Sequence, residues 1–118
     1  MVGILNRLLA LPIAPEQRRE ILFWRAESWK ALARHTEAAH DFMRSATLID
    51  SRGADPWGQT ARYNAAESLS EAGLVDDARR IYRSLLRITD DADRKGVLRM
   101  RLQQLWLADP ALDNIGRH

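Results

Sequence analysis

Residues 61–91 read ARYNAAESLSEAGLVDDARRIYRSLLRITDD. Apolar residues recur in this stretch every three or four positions, which is the spacing of one face of an α-helix. Ala66 and Leu69 are three positions apart, and Ala78 and Tyr82 are four apart. Gly73 divides the stretch, and glycine is favoured just past a helix end because it takes the left-handed backbone conformation at little cost. The stretch therefore predicts two helices joined by a tight turn.

A similar pattern lies 40 residues earlier in the chain. Residues 33–38 (ARHTEA) align with residues 73–78 (GLVDDA), and at the same offset Phe42 aligns with Tyr82. The ends also match, because residues 18–22 resemble 94–98 and residues 8–11 resemble 85–88. Self-similarity at a period of about 38–40 residues is typical of helical repeat proteins. The predicted domain organisation is a half-repeat at 1–14, hairpins at 15–52 and 55–90, and a half-repeat at 91–110.

Proline, glycine and capping residues predict where each helix begins and ends. Pro15 and Pro56 suit first helical positions, with Asp55 as the cap of the helix that begins at Pro56, and Thr36 is a candidate cap for the helix between them. The fold class is all-α, a single domain of about six helices. Their predicted spans are 3–11, 15–34, 36–50, 56–73, 75–89 and 93–107, with Pro110 ending the last.

The second hairpin resembles a tetratricopeptide repeat (TPR). Ala66, Leu69, Gly73, Ala78 and Tyr82 stand where that family places a small residue, a large apolar residue, a turn glycine, a small residue and an aromatic residue. The first hairpin matches at Leu22, Ala26, Trp29, Ala38, Phe42 and Ser45. Arg62 and Leu85 depart from the family pattern, neither hairpin ends in the usual proline, and another αα-solenoid remains an alternative. The resemblance implies an α-α superhelix of antiparallel hairpins, a TPR-like solenoid that is not an enzyme.

The resemblance also implies a concave groove lined by the first helix of each hairpin, where a peptide or protein segment would bind. A core stripe on residues 15–34 is predicted at Leu22, Ala26, Trp29 and Ala33, and the neighbouring stripe is expected to face the groove. The candidate groove residues are Glu20, Phe23, Lys30, Thr60, Tyr63, Glu67, Ser70, Arg99 and Gln103. The alternative is a solvated helix face with incidental aromatic residues.

The terminal helices provide a second functional hypothesis. Residues 4–9 and 97–106 are rich in Leu, Ile, Val and Trp, and each helix belongs to a half-repeat with one unpaired side. Leftover apolar surface would mark a contact. The chain is then a structural or oligomerisation segment of a larger repeat protein, or a homo-oligomer joined through its ends. The alternative is that both helices are complete caps.

Composition and motifs disfavour other classes. With 18 basic and 16 acidic residues the net charge is +2, so no nucleic-acid partner is expected, although Arg79, Arg83 and Arg87 could form one basic face. His35 and His40 are five apart and there is no cysteine, so no metal site is predicted. No catalytic or cofactor motif occurs, and no apolar run is long enough to insert into a membrane. The compartment, cytoplasmic or periplasmic, is not identified.

Overall fold

The computed structural model describes residues 1–107, which form six α-helices and no β-strand. The predicted all-α class and the number of helices are confirmed. The helices are α1 (Val2–Leu9), α2 (Pro15–Ala31), α3 (His35–Thr47), α4 (Pro56–Glu71), α5 (Val75–Ile88) and α6 (Ala92–Leu107). The predicted end of the last half-repeat at residue 110, and the stop at Pro110, lie outside the described residues.

Each helix packs on the next one in the chain. Residue numbers rise along α2 as they fall along α3: the Ser45 hydroxyl donates to the Arg19 carbonyl, and Arg25 donates to Asp41. The same order holds for α4 and α5, where Arg62 bonds Ser84 and Tyr63 packs on Tyr82. Both pairs are therefore antiparallel. The molecule measures 58 × 31 × 20 Å.

Local sequence signals account for several helix ends. Pro15 and Pro56 are the first residues of α2 and α4, as predicted, because a proline there loses no helical hydrogen bond. The Asp55 carboxylate caps α4 by accepting from the Gly58 amide at 2.9 Å. The predicted cap at Thr36 is wrong, since α3 already begins at His35 and its cap position, Arg34, makes no side-chain capping bond.

The end of α2 also differs from the prediction. This helix stops at Ala31 rather than near residue 34, because Ala33 adopts a positive φ of 58° and turns the chain out of the helix. Ala33 is exposed, so its place in the core stripe is wrong. The other members of the stripe do face inward: Leu22 and Ala26 are fully buried and Trp29 is partly buried.

Small and aromatic residues repeat their geometry in the two antiparallel pairs. Phe23 meets Phe42 edge-on with ring centroids 5.0 Å apart, and Tyr63 meets Tyr82 in the same manner at 5.7 Å. Four alanines that match across the 40-residue offset are fully buried, which lets the helix backbones approach and the rings fill the remaining space. These alanines are Ala26, Ala38, Ala66 and Ala78.

Arg62 is a buried exception to the apolar core. It stands at the position that Leu22 holds in the first pair, and only 8% of it is exposed. Its guanidinium donates to the carbonyls of Arg52 and Gly53, both at 3.3 Å, and to the Ser84 hydroxyl on α5. Because a buried guanidinium needs acceptors, this arginine ties the long 48–55 connection to α4 and α5.

Candidate binding cleft

Helices α4 and α6 both pack on α5, and Arg101 of α6 reaches Tyr63 and Glu67 of α4. Two openings follow one another between α4 and α6. The first contains Thr60 of α4 and Val97 of α6, and the second contains Ser70 and Gln104. Since residue numbers rise together along both walls, α4 and α6 run in the same direction, and we call the two openings together the cleft.

The first opening, which we call the apolar pocket, is a cavity of about 380 Å³. Its floor comes from Leu85 and Leu98, two buried residues that pack between α5 and α6. Tyr63 and Val97 form its sides. The remaining lining residues are polar: Gln59, Thr60, Thr89, Asp93 and Arg94. An apolar interior with a few polar groups at the edge is the usual composition of a binding pocket.

The second opening, the acidic pocket, is smaller, at about 230 Å³. Two carboxylates, Glu67 and Glu71, face one cation, Arg101. Glu71 is exposed and forms no ion pair within residues 1–107, while Glu67 lies 3.6 Å from Arg101. The remaining lining residues are Ser70, Tyr82, Gln104 and Leu105. Burial of Tyr82 raises the pKa of its phenol, so the ring stays neutral and adds no charge here.

Arg101 separates the two pockets. Its Nε donates to the Tyr63 hydroxyl at 3.0 Å, and its Nη1 donates to the Gln104 side chain at 3.3 Å. The bond to Tyr63 raises the pKa of Arg101. The guanidinium therefore stays charged and holds α6 against α4 at the middle of the cleft.

The predicted groove residues fall into four groups in the structure. Thr60 and Tyr63 line the apolar pocket, and Glu67 and Ser70 line the acidic pocket. Phe23 packs between Phe42 and the Trp57 ring, 5.4 Å away. The other four, which line neither pocket, are exposed: Glu20, Lys30, Arg99 and Gln103.

On α6 the residues that face α4 are displaced from the predicted ones by one or two positions. Val97, Arg101 and Gln104 line the cleft in place of Arg99 and Gln103. Their spacing of four and three is that of one helix face, so the signal was present in the sequence. Periodicity defines such faces without saying which one meets α4, because the apolar stripe of α6 at Leu98, Leu102 and Leu105 marks the buried face and not the face beside it that meets α4.

A polar cleft of about 460 Å³ lies between α1, α2 and α3. Arg25 and Asp41 occupy its base. Their two hydrogen bonds, 2.6 and 2.8 Å long, satisfy the buried carboxylate, and a third bond from Arg25 reaches Asn6 of α1. The charges at the base of this cleft are thus engaged in holding three helices together.

The remaining candidate groups show ordinary surface chemistry. Arg79 pairs with Asp76 at 3.0 Å, and Arg83 and Arg87 are exposed on α5. Within residues 1–107, no three His, Asp or Glu side chains are grouped so that they could hold a metal ion. No helix in that range combines the length and apolar character needed to cross a bilayer.

Comparison with protein-family models, with curated proteins and with solved structures gives no match to this chain. Function is therefore inferred from the geometry of the cleft.

Proposed function

We propose that this chain is a non-catalytic protein-interaction module that binds a peptide segment of another protein in the cleft between α4 and α6. The apolar pocket is the observation that carries the proposal. Val97 is 39% exposed at its side, beside the buried floor of Leu85 and Leu98. An apolar side chain entering this pocket would remove further apolar surface from water, at about 25 cal/mol per Å².

The size and shape of the cleft favour a peptide over a small molecule. The apolar pocket and the acidic pocket share the α4–α6 wall, so an extended chain can engage both at once. Polar side chains such as Gln59 and Thr60 stand beside the apolar surface, where they can meet the backbone groups of a bound segment. An apolar centre with a polar rim is the common composition of protein interfaces.

A TPR-like α-α superhelix is the fold that best explains this cleft. The equivalent aromatic pairs, the four buried alanines and the matched turns after α2 and α4 support a repeat of about 40 residues. In such an arrangement α2, α4 and α6 are the first helices of successive repeats and share one face. The cleft between α4 and α6 would then be part of the concave surface that the sequence resemblance implies.

A peptide-display selection tests the proposal. A random twelve-residue library is selected on the full 118-residue chain, and the recovered peptides are assayed against Val97→Glu. A carboxylate beside the pocket should abolish binding, because an apolar side chain would have to bury it. Met100→Glu is the matched control, since Met100 lies on the same helix, is 46% exposed and lines neither pocket.

Recovered peptides that bind Met100→Glu as well as wild type but fail on Val97→Glu support the proposal. Amide chemical shifts of Thr60 and Val97 should then move on peptide addition. Peptides that bind Val97→Glu as tightly as wild type, or the recovery of no binding peptide, would overturn it. Circular dichroism of both variants establishes that they remain helical.

A second candidate function is a structural or oligomerisation segment that associates through its terminal helices. The observation that favours it is exposed apolar surface at both ends: Ile4 is 59% exposed on α1, and Trp106 is 55% exposed on α6. Association through these helices predicts a mass above that of the monomer in light scattering. Ile4→Asp and Trp106→Asp should each reduce that mass, and a monomeric wild type would exclude self-association.

A further inference from the structure

We infer that the bound segment carries a large apolar side chain and, four residues away, a lysine or arginine. This inference rests on the proposed function and specifies the chemistry of the partner. The apolar side chain would fill the apolar pocket, and the cation would lie in the acidic pocket between Glu67 and Glu71.

The charges of the acidic pocket favour a cation. Two carboxylates and one guanidinium leave an excess of one negative charge. Arg101 is held by Tyr63 and Gln104 and points its Nη2 toward Glu67, so it does not reach all the acceptor sites that the two carboxylates offer. Glu71 forms no ion pair within residues 1–107. An incoming cation would thus meet an unneutralised carboxylate, and an incoming anion would be repelled.

The distance between the pockets sets the spacing of the two side chains. The groups that line the two pockets are roughly eight residues apart along α4 and along α6, or about 12 Å at a helical rise of 1.5 Å per residue. An extended peptide advances about 3.3 Å per residue, so four residues cover this distance. Side chains four apart on an extended chain also point to the same side, and both can enter the cleft.

The same display selection tests the inference through the sequences that it recovers. Peptides that require Val97 should be enriched in Lys or Arg four positions before or after a large apolar residue. One recovered peptide, fluorescently labelled, is then titrated with wild type, Glu71→Lys and Glu27→Lys at low and high salt. Glu27 is the control because it is exposed on α2 and lines neither pocket, while its substitution changes the net charge equally.

Glu71→Lys should weaken binding about fivefold or more at low salt, with a smaller effect at high salt because exposed charges are screened. Glu27→Lys should bind as wild type does. Replacing the peptide's Lys or Arg by Glu should weaken binding to wild type and improve it to Glu71→Lys. This exchange of preference would identify Glu71 as the residue that selects a basic side chain in the peptide.

The possible failures are distinguishable. Peptides that need Val97 but show no enrichment in basic residues, or that bind Glu71→Lys as tightly as wild type, would overturn the inference while leaving the proposed function in place. A selection that yields no peptide dependent on Val97 would remove both. Because a lysine at the last turn of α4 favours the helix, Glu71→Lys is expected to fold normally.

Discussion

Ala33 and Gly73, 40 residues apart, end α2 and α4 in the same left-handed conformation, with φ of 58° and 82°. In both turns the amide of the following residue donates to the carbonyl five positions back, at 2.8 Å. Together with the hydrogen bond from the Ala33 or Gly73 amide to the carbonyl three positions back, this is the pattern of a Schellman motif, which normally has glycine in the left-handed position. The turn after α2 therefore has the same geometry as the turn after α4, although alanine is strained in the left-handed conformation.

Exchange of alanine and glycine at these two positions should have opposite effects on stability. Ala33→Gly removes the strain of the left-handed alanine and should raise the free energy of unfolding by about 0.5–1 kcal/mol, after the greater freedom of glycine in the unfolded chain is included. Gly73→Ala should lower it by a similar amount, since no atom lies within 4 Å of the added methyl group and strain is the only cost. Urea denaturation measures both, and a destabilised Ala33→Gly would contradict this explanation.

Ala33 also shows where sequence reasoning stopped. Its spacing from Trp29 predicted a core position, but the structure places it in a turn like that of Gly73, the residue with which it aligns. Local signals such as Pro15, Asp55 and Pro56 predicted helix starts because they act through the adjacent backbone. Such signals do not determine how a helix is rotated against a distant neighbour. Residues predicted from such signals can therefore fall on the wrong face of a helix. Thr60 and Tyr63 of α4 line the cleft, whereas Arg99 and Gln103 of α6 do not.

Arg62 should be needed for the stability of the 48–55 connection. Arg62→Ala removes three hydrogen bonds and leaves the buried Gly53 carbonyl without this donor, so the free energy of unfolding should fall by about 2–3 kcal/mol. The matched control is Arg83→Ala, an exposed arginine on α5, which should change it by less than about 0.5 kcal/mol. Amide hydrogen exchange should accelerate near Gly53 in the first variant alone. Equal melting curves for the two variants would show that Arg62 is dispensable.

The pair of Arg25 and Asp41 should be more important to stability than the ion pairs at the surface. Asp41 is only 2% exposed, so Arg25→Met leaves a buried carboxylate without its cation and should cost about 3–5 kcal/mol. Arg34→Met breaks an exposed pair with Glu37 and should have little effect. Thermal unfolding by circular dichroism compares them. The prediction fails if Arg25→Met melts within a degree of Arg34→Met.

Asp50 should make part of the stability dependent on pH. Its carboxylate accepts from the amides of Arg52 and Ala54, at 3.0 and 3.1 Å, and these bonds lower its pKa below the ordinary 3.8. Because the folded pKa is the lower one, the stabilisation is complete above the ordinary pKa and is lost as pH falls through the lowered value. The difference in melting temperature between wild type and Asp50→Asn should therefore be largest near neutral pH and shrink below pH 3.8. A difference independent of pH would exclude this role.

The bond between Tyr63 and Arg101 should hold the middle of the cleft. Tyr63→Phe keeps the ring that packs on Tyr82 and removes only the acceptor for the Arg101 Nε–H, so the free energy of unfolding should fall by about 0.5–1.5 kcal/mol. In wild type the Arg101 Nε proton should exchange slowly with water and give a resolved nitrogen–proton NMR signal. The signal should broaden or disappear in Tyr63→Phe and persist in Thr60→Ala, which changes a neighbouring cleft residue that does not contact Arg101. An unchanged Arg101 signal in Tyr63→Phe would mean that Gln104 and Glu67 alone hold the guanidinium.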